Sequence, residues 1–309
     1  MADDEISQLR QKHYNATVVG LRLANPDLMM VRIRPDFPIP EHKPGQYSTI
    51  GLGMWELRVE GCQPELIKPG DETKLIRRAY SISNPILDDA GNLLDRSAID
   101  WLEFYIVLVR EASEHPPALT PRLFRLKEGD RLFLGEKITG HFTLDPVKPT
   151  DNVVFLSTGT GEAPHNYMLW ELLRREHQGR MLAACCVRYR RDLGYLPMQE
   201  ELMRRYPRYI YLSLTTREAS NAGQKVYLQD LITSGQLEER LGAPLDPSCT
   251  HVFLCGNPKM IGVPTTDRAT GQAVYPQPPG VVEILSGRQF HMDQPSVKLK
   301  GTIHFEEYW

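Results

Sequence analysis

Val153-Val154-Phe155-Leu156-Ser157-Thr158-Gly159-Thr160-Gly161-Glu162-Ala163-Pro164 is the stretch from which the architecture can be read. Val153 to Ser157 is apolar enough for a buried strand, and Pro164 to His177 carries a helical pattern. Between them stand two glycines. In a strand-to-helix turn, glycines let a ligand approach the backbone, and the N–H groups of the following helix end accept phosphate oxygens. The spacing departs from a strict G-x-G-x-x-G, and simple helix capping by Thr158 and Thr160 accounts for the hydroxyls equally well.

Toward the C-terminus the alternation continues. Met181 to Val187 reads as a strand, Pro197 to Arg205 as a helix and Tyr209 to Thr215 as a strand. Leu228 to Ile232 and Leu237 to Leu241 read as helices, and His251 to Cys255 as another buried strand. Such alternation predicts a parallel sheet covered on both faces, with ligands beyond the carboxyl ends of its strands. Arg188, with Arg190 and Arg191 behind it, follows the second strand; Thr215-Thr216-Arg217-Glu218 and then Lys225-Val226-Tyr227 follow the third. A cation cluster at that edge suits a phosphate monoester, and the 2'-phosphate of NADPH is the natural candidate, against the plainer reading of a solvated basic rim. The fourth strand ends in Cys255-Gly256-Asn257-Pro258. Its cysteine reads first as a small buried filler rather than a reactive thiol, and Cys185 and Cys186 read the same way and are assigned no redox role. Val263 to Gly280 reads as a long irregular segment, and loops of that length are usually functional or mobile.

Toward the N-terminus the pattern changes at Pro146-Val147-Lys148-Pro149, which places a domain boundary at about residue 148 and predicts domains 1–148 and 149–309. Ahead of it lie short strands with Gly and Pro punctuation. Ala16 to Leu23 and Leu28 to Arg34 meet across Asn25-Pro26-Asp27; others start at Gly45-Gln46-Tyr47, Arg78, Trp101 and Arg131, with Gly51 to Glu72 loop-like. This predicts an antiparallel barrel. Within it, Arg77-Arg78-Ala79-Tyr80-Ser81-Ile82-Ser83-Asn84-Pro85 puts Arg78 and Tyr80 on one face of a strand. A ring to stack on, a guanidinium for phosphate and a hydroxyl suit a flat ligand with a phosphate tail; a solvated edge strand is the plain alternative. Leu119-Thr120-Pro121 reads as a Thr-capped helix start, which is either a phosphate site or an ordinary cap.

Composition excludes several classes. A chain of 309 residues accommodates two cores, and a net charge of -3 gives no electrostatic footprint for nucleic acid. No apolar run approaches a membrane span, and the acidic start lacks a targeting signature. An odd count of 5 cysteines without framework or cluster spacing points to a reducing compartment, by default the cytoplasm, and to no iron–sulfur centre or other metal.

Taken together, Pro44-Gly45-Gln46-Tyr47, Arg78-Ala79-Tyr80-Ser81, Thr158-Gly159-Thr160-Gly161, Cys255-Gly256-Asn257-Pro258 and the terminal Glu306-Glu307-Tyr308-Trp309 resemble, in order, the plant-type ferredoxin–NADP(+) reductases, particularly their bacterial branch. The resemblance spans nearly the whole chain. It implies FAD in an antiparallel β-barrel domain and NADP(H) in an α/β parallel-sheet domain. By it, Arg78 and Ala79 hold the FAD pyrophosphate, Tyr80 stacks on the isoalloxazine and Ser81 bonds near N5. Thr120 helps with the phosphates, and the Tyr105 region lies along ribose and adenine. Tyr308 covers the flavin face where nicotinamide arrives, and Trp309 folds toward the adenine. Thr158 and Cys255 line the nicotinamide site, with Glu306 nearby as a candidate proton relay, and Gly159 and Thr160 are cofactor-binding; Arg188, Arg217, Lys225 and Tyr227 take the 2'-phosphate. Glu162 and His165 depart from the apolar or aromatic residues usual there, and Val263 to Gly280 is longer than the family leads one to expect.

The activity implied is hydride exchange between NADPH and FAD and single-electron exchange with ferredoxin or flavodoxin, by a protein expected to be a monomer. Two other readings stay open: a reductase component serving an oxygenase or free flavin, and an FAD-containing electron-transfer or regulatory subunit without NADPH turnover.

Overall fold

The structure is a computed structural model describing residues 2–221, 224–293 and 300–308. The chain divides into two compact units, residues 1–141 and 142–309.

The first unit opens with helix α1 (Asp3–His13), in a stretch to which the sequence pattern assigned no element. None of its residues is buried, so no apolar face announces it. It is fastened by its end: Arg10 grips the Glu56 carboxylate, and Tyr14 Oη donates to Glu56 Oε1 at 2.9 Å while accepting the Gly53 N–H. Six strands follow: β1 (Ala16–Asn25), β2 (Leu28–Pro35), β3 (Tyr47–Gly53), β4 (Leu75–Ser81), β5 (Leu102–Val107) and, after the short helix α2 (Thr120–Leu123), β6 (Arg131–Leu134). They form one sheet in the order β4-β3-β6-β1-β2-β5, antiparallel at each pairing. The Ser83 N–H donating to Glu103 O at 2.8 Å ties the chain beyond β4 to β5, which curls the sheet toward closure as the barrel expected. Met29, Val31, Ile33, Ile50, Leu52, Phe104, Ile106, Leu132 and Leu134 fill its interior.

The Gly51 to Glu72 region is less loose than its glycines and prolines suggest. The Arg122 guanidinium, fully buried, donates to Ala118 O and Met54 O and pairs with Glu65 at 2.8 Å, while Arg58 bonds Gln63 O and Pro117 O. A charge this deep is tolerated because both terminal nitrogens of the guanidinium have oxygen partners, one of them a carboxylate.

The second unit alternates as predicted: β7 (Asn152–Thr158), α3 (Glu162–Arg174), β8 (Met181–Val187), α4 (Leu196–Arg205), β9 (Tyr209–Thr215), α5 (Leu228–Thr233), α6 (Gln236–Leu241), β10 (Thr250–Gly256), α7 (Pro258–Ile261) and, further on, α8 (Val281–Ser286) and β13 (Ile303–Glu307). The sheet runs β13-β10-β7-β8-β9 and is parallel throughout. Every residue of β8 and β10 is buried, as strands covered on both faces require. One face packs Val154, Leu156, Leu182, Val252 and Leu254 against α5, α6, α7 and α8. The other carries Phe155 and Phe253 against Phe142 and His165, which is why Phe142 belongs to this unit.

Val263 to Gly280 is not wholly irregular. It holds a two-stranded antiparallel ribbon, β11 (Thr265–Thr266) with β12 (Ala273–Val274), whose two-residue strands are too short to leave a period in the sequence. At its root Gly262 and Gly280 lie backbone to backbone, so that a Cβ on either runs into the other's Cα. Among the described residues no helix is long and apolar enough to cross a membrane.

Candidate functional site

Sheet order locates the site before any residue is considered. From β7 the chain moves to β8 on one side, then returns to place β10 on the other, so the strand order reverses between β7 and β10. Ligands of open parallel sheets bind outside the carboxyl ends at that reversal. Thr158-Gly159-Thr160-Gly161 leaves β7 there, and Cys255-Gly256-Asn257 leaves β10.

The two turns interlock. Thr158 Oγ1 accepts the Asn257 N–H at 2.8 Å, so this hydroxyl ties one turn to the other and does not cap α3. Gly161 sits against the Cys255 carbonyl and Gly256, at φ 126°, against Thr158 Oγ1, and neither place admits a Cβ. Gly159, at φ 54°, has open space over its Cα. The result is a backbone surface with no side chain between it and an incoming ligand.

Cys255 is fully buried. Burial, then the adjacent Glu306 carboxylate, holds its thiol well above the ordinary range, with the Tyr308 phenol beside it acting the other way. It is therefore a neutral thiol at working pH. Register explains the grouping: Cys255 pairs with Glu306 across β10 and β13, and the Tyr308 N–H donates to Gly256 O. Glu306 and Tyr308 are half-buried. Trp309 lies outside the described residues. Cys185 and Cys186 are buried fillers as expected, the thiol of Cys186 pushed up to about 11 by burial.

Beyond β8 and β9, the Arg217 N–H donates to Arg188 O at 2.8 Å, which sets these two arginines side by side. Both side chains, and that of Lys225, are exposed and without hydrogen-bond or ion-pair partners among the described residues. Tyr227 is also exposed, just ahead of α5. Arg190 and Arg191 are otherwise engaged, the first with Glu200 and the second over the Tyr189 ring.

In the barrel unit β4 is the terminal strand of its sheet. Arg77 folds over Phe133, and Arg78 and Tyr80 alternate to the opposite face. Arg78 is exposed and its guanidinium bonds only Arg77 O among the described residues; Ala79 is exposed, Tyr80 half-buried and Ser81 buried. Such a set has donors and an aromatic face to offer an elongated anionic ligand. One expectation needs correction. Thr120 does not cap α2: its Oγ1 accepts the Val109 N–H at 3.1 Å, tying the helix to the chain after β5. Tyr105 is buried within β5, while Val107 at the end of that strand and Val109 beyond it are exposed.

The sequence reading did not find the surroundings of Glu162. Tyr211 and Gln199 converge on it next to the Gly159–Gly161 turn, and Gln199 is held in turn by Asn166. The spacing of Glu162 and Asn166, which puts both on one helix face, was the only local signal.

Residues 155–264 match the family model described as Oxidoreductase NAD-binding domain. Two relatives named flavodoxin/ferredoxin–NADP reductase, from Escherichia coli (strain K12) and Shigella flexneri, are each 34% identical over 226 residues, covering 72% of this chain and 77% of the relative. The crystal structure of a ferredoxin NADP+ reductase from Neisseria gonorrhoeae with bound FAD and NADP aligns over 96% of this chain and 98% of its own, at TM-score 0.67 and 20% identity, a likeness of fold. Interlocked turns at a strand-order reversal, an uncompensated arginine pair beyond it, an Arg-Ala-Tyr-Ser edge strand and this degree of identity lead to one conclusion: the chain belongs to the flavodoxin/ferredoxin–NADP reductase family.

Proposed function

We propose that this chain is an FAD-dependent oxidoreductase that exchanges hydride between NADPH and FAD and single electrons with ferredoxin or flavodoxin. The observation that carries the reading is the pair of interlocked glycine turns at the β7/β10 reversal, flanked by Arg188 and Arg217 with no acidic partner among the described residues.

FAD is assigned to the barrel unit and NADP(H) to the α/β unit. When bound, FAD takes up two electrons as hydride and gives them out singly. The chain's own residues position, shield and manage protons. Arg78 and the Ala79 backbone take the FAD phosphates, Tyr80 offers its ring to the isoalloxazine, and Ser81 donates near N5. Thr120 and Tyr105 hold their places through contacts within the fold and take at most a supporting part in the phosphate and adenosine regions. Thr158, Gly159 and Thr160 receive the dinucleotide at the backbone surface that Gly161 and Gly256 leave bare. Arg188 and Arg217, joined by Lys225 and Tyr227, take the 2'-phosphate, for which fixed guanidinium forks are suited. Cys255, held as a thiol, supplies a small neutral wall. Glu306 beside it holds or passes a proton, and Tyr308 stands where nicotinamide enters. The electron partner is a small one-electron carrier, ferredoxin or flavodoxin.

Anaerobic stopped-flow absorbance of the FAD-loaded chain mixed with NADPH or NADH tests this. NADPH is expected to bleach the flavin at least about tenfold faster, one lost charge-assisted contact being enough for that ratio. A flavin inert to both nucleotides leaves only a subunit without NADPH turnover.

A further inference from the structure

Glu162 is the first residue of α3, directly after the Gly159–Gly161 turn, and is 3% exposed. Its Oε1 accepts from Tyr211 Oη at 2.9 Å and from Gln199 Nε2 at 3.3 Å; its Oε2 is buried with no partner. Gln199 also donates to Asn166 Oδ1 at 2.7 Å and accepts from Tyr209 Oη at 2.6 Å. The groups facing the carboxyl are thus Gln199 from α4, Cys185 from β8, Tyr209 and Tyr211 from β9 and Asn166 on its own helix. All are neutral, and no Lys, Arg or His side chain bonds it among the described residues. Above it, Gly159 O accepts from the Glu162 N–H and from Cys185 Sγ, so cluster and turn share atoms.

An ionised Glu162 is therefore held by two neutral donors and the positive end of α3, with no opposite charge bonded to it among the described residues. An anion seated on the Gly159–Gly161 turn draws on that same end. The two negative charges compete in a dry place, and protonating the carboxyl relieves the conflict by removing one of them.

We propose that Glu162 is a positioning residue of the nucleotide loop that takes up a proton when the pyrophosphate of a dinucleotide seats on residues 159–161. The inference rests on the NADP(H) reading above. Burial already holds Glu162 at about 7 in the free protein, with Tyr211 and then Gln199 pulling downward. The carboxyl is thus partly ionised at neutral pH, and affinity falls as pH rises past that point.

The test is calorimetry of NADP+ binding to the FAD-loaded full chain at pH 7.5, in two buffers of different ionisation enthalpy, repeated from pH 6.5 to 8.5. Uptake of about half a proton is expected, with Kd rising by about tenfold across the range. In Glu162→Gln both effects vanish. In Tyr211→Phe, which removes a donor to the charged form, the inflection moves to higher pH. The 2'-phosphate cannot imitate this, because a phosphate titrating near pH 6 loses its proton on meeting arginines. Uptake that persists unchanged in Glu162→Gln, or an inflection unmoved in Tyr211→Phe, overturns the inference and leaves the enzyme reading standing. Failure of NADP+ to bind at any of these pH values overturns both.

Discussion

At the scale of the residue, the site is built by leaving groups uncompensated. Arg188 and Arg217 lie side by side through a backbone bond, yet their guanidinium groups pair with no carboxylate among the described residues, whereas Arg190 two positions on is tied to Glu200. Arg217→Ala and Arg188→Ala are each expected to raise KM for NADPH by about tenfold, leaving KM for NADH within about twofold. Equal effects on the two nucleotides would remove these arginines from 2'-phosphate recognition. Their position was legible in the sequence because a residue just past a parallel strand has one place to go. Thr120 and Tyr105 were less legible: a hydroxyl before a proline looks the same whether it caps its helix or bonds a neighbouring strand, and only tertiary contacts choose.

At the scale of the element, legibility follows burial. The bounds of β8 and β9 coincide with those read from the sequence, because β8 is apolar at every position and β9 nearly so. Helix α1 had no apolar stripe to read, and β11 and β12 are too short for a period. The turn after β7 was visible as glycines, but its partner was not, since nothing local to residue 161 foretells the Cys255 carbonyl pressed on it. Gly161→Ala must move one turn off the other. Its cost is expected to be about 2 kcal/mol in urea unfolding, with NADPH-driven bleaching slowed by tenfold or more and FAD still bound. An unchanged bleaching rate would mean that the interlock does not shape the nucleotide surface.

Across the whole molecule, two cores carry two ligands in the proposed division. Hydrogen exchange of the full chain checks it. FAD is expected to slow amides in 75–85 and leave 186–221 unchanged, and adenosine 2',5'-bisphosphate to do the reverse. The opposite pattern would interchange the assignments. The class of fold was readable because the hydrophobic period itself changes between the two halves. What the sequence withheld is the set of long-range pins, such as Arg122 to Glu65, which join segments with no local relation.

The contact between Gly262 and Gly280 has a bearing on the chain's history. A segment that leaves and re-enters the fold at one point imposes no span on its contents, so its length is free to drift. Closing a loop twice as long costs only about 0.6 kcal/mol. The ribbon between these glycines is thus a place where lineages can gain, lose or exchange sequence while α7 and α8 stay where they are, and where a reporter peptide can be spliced in with least disturbance to the sheet.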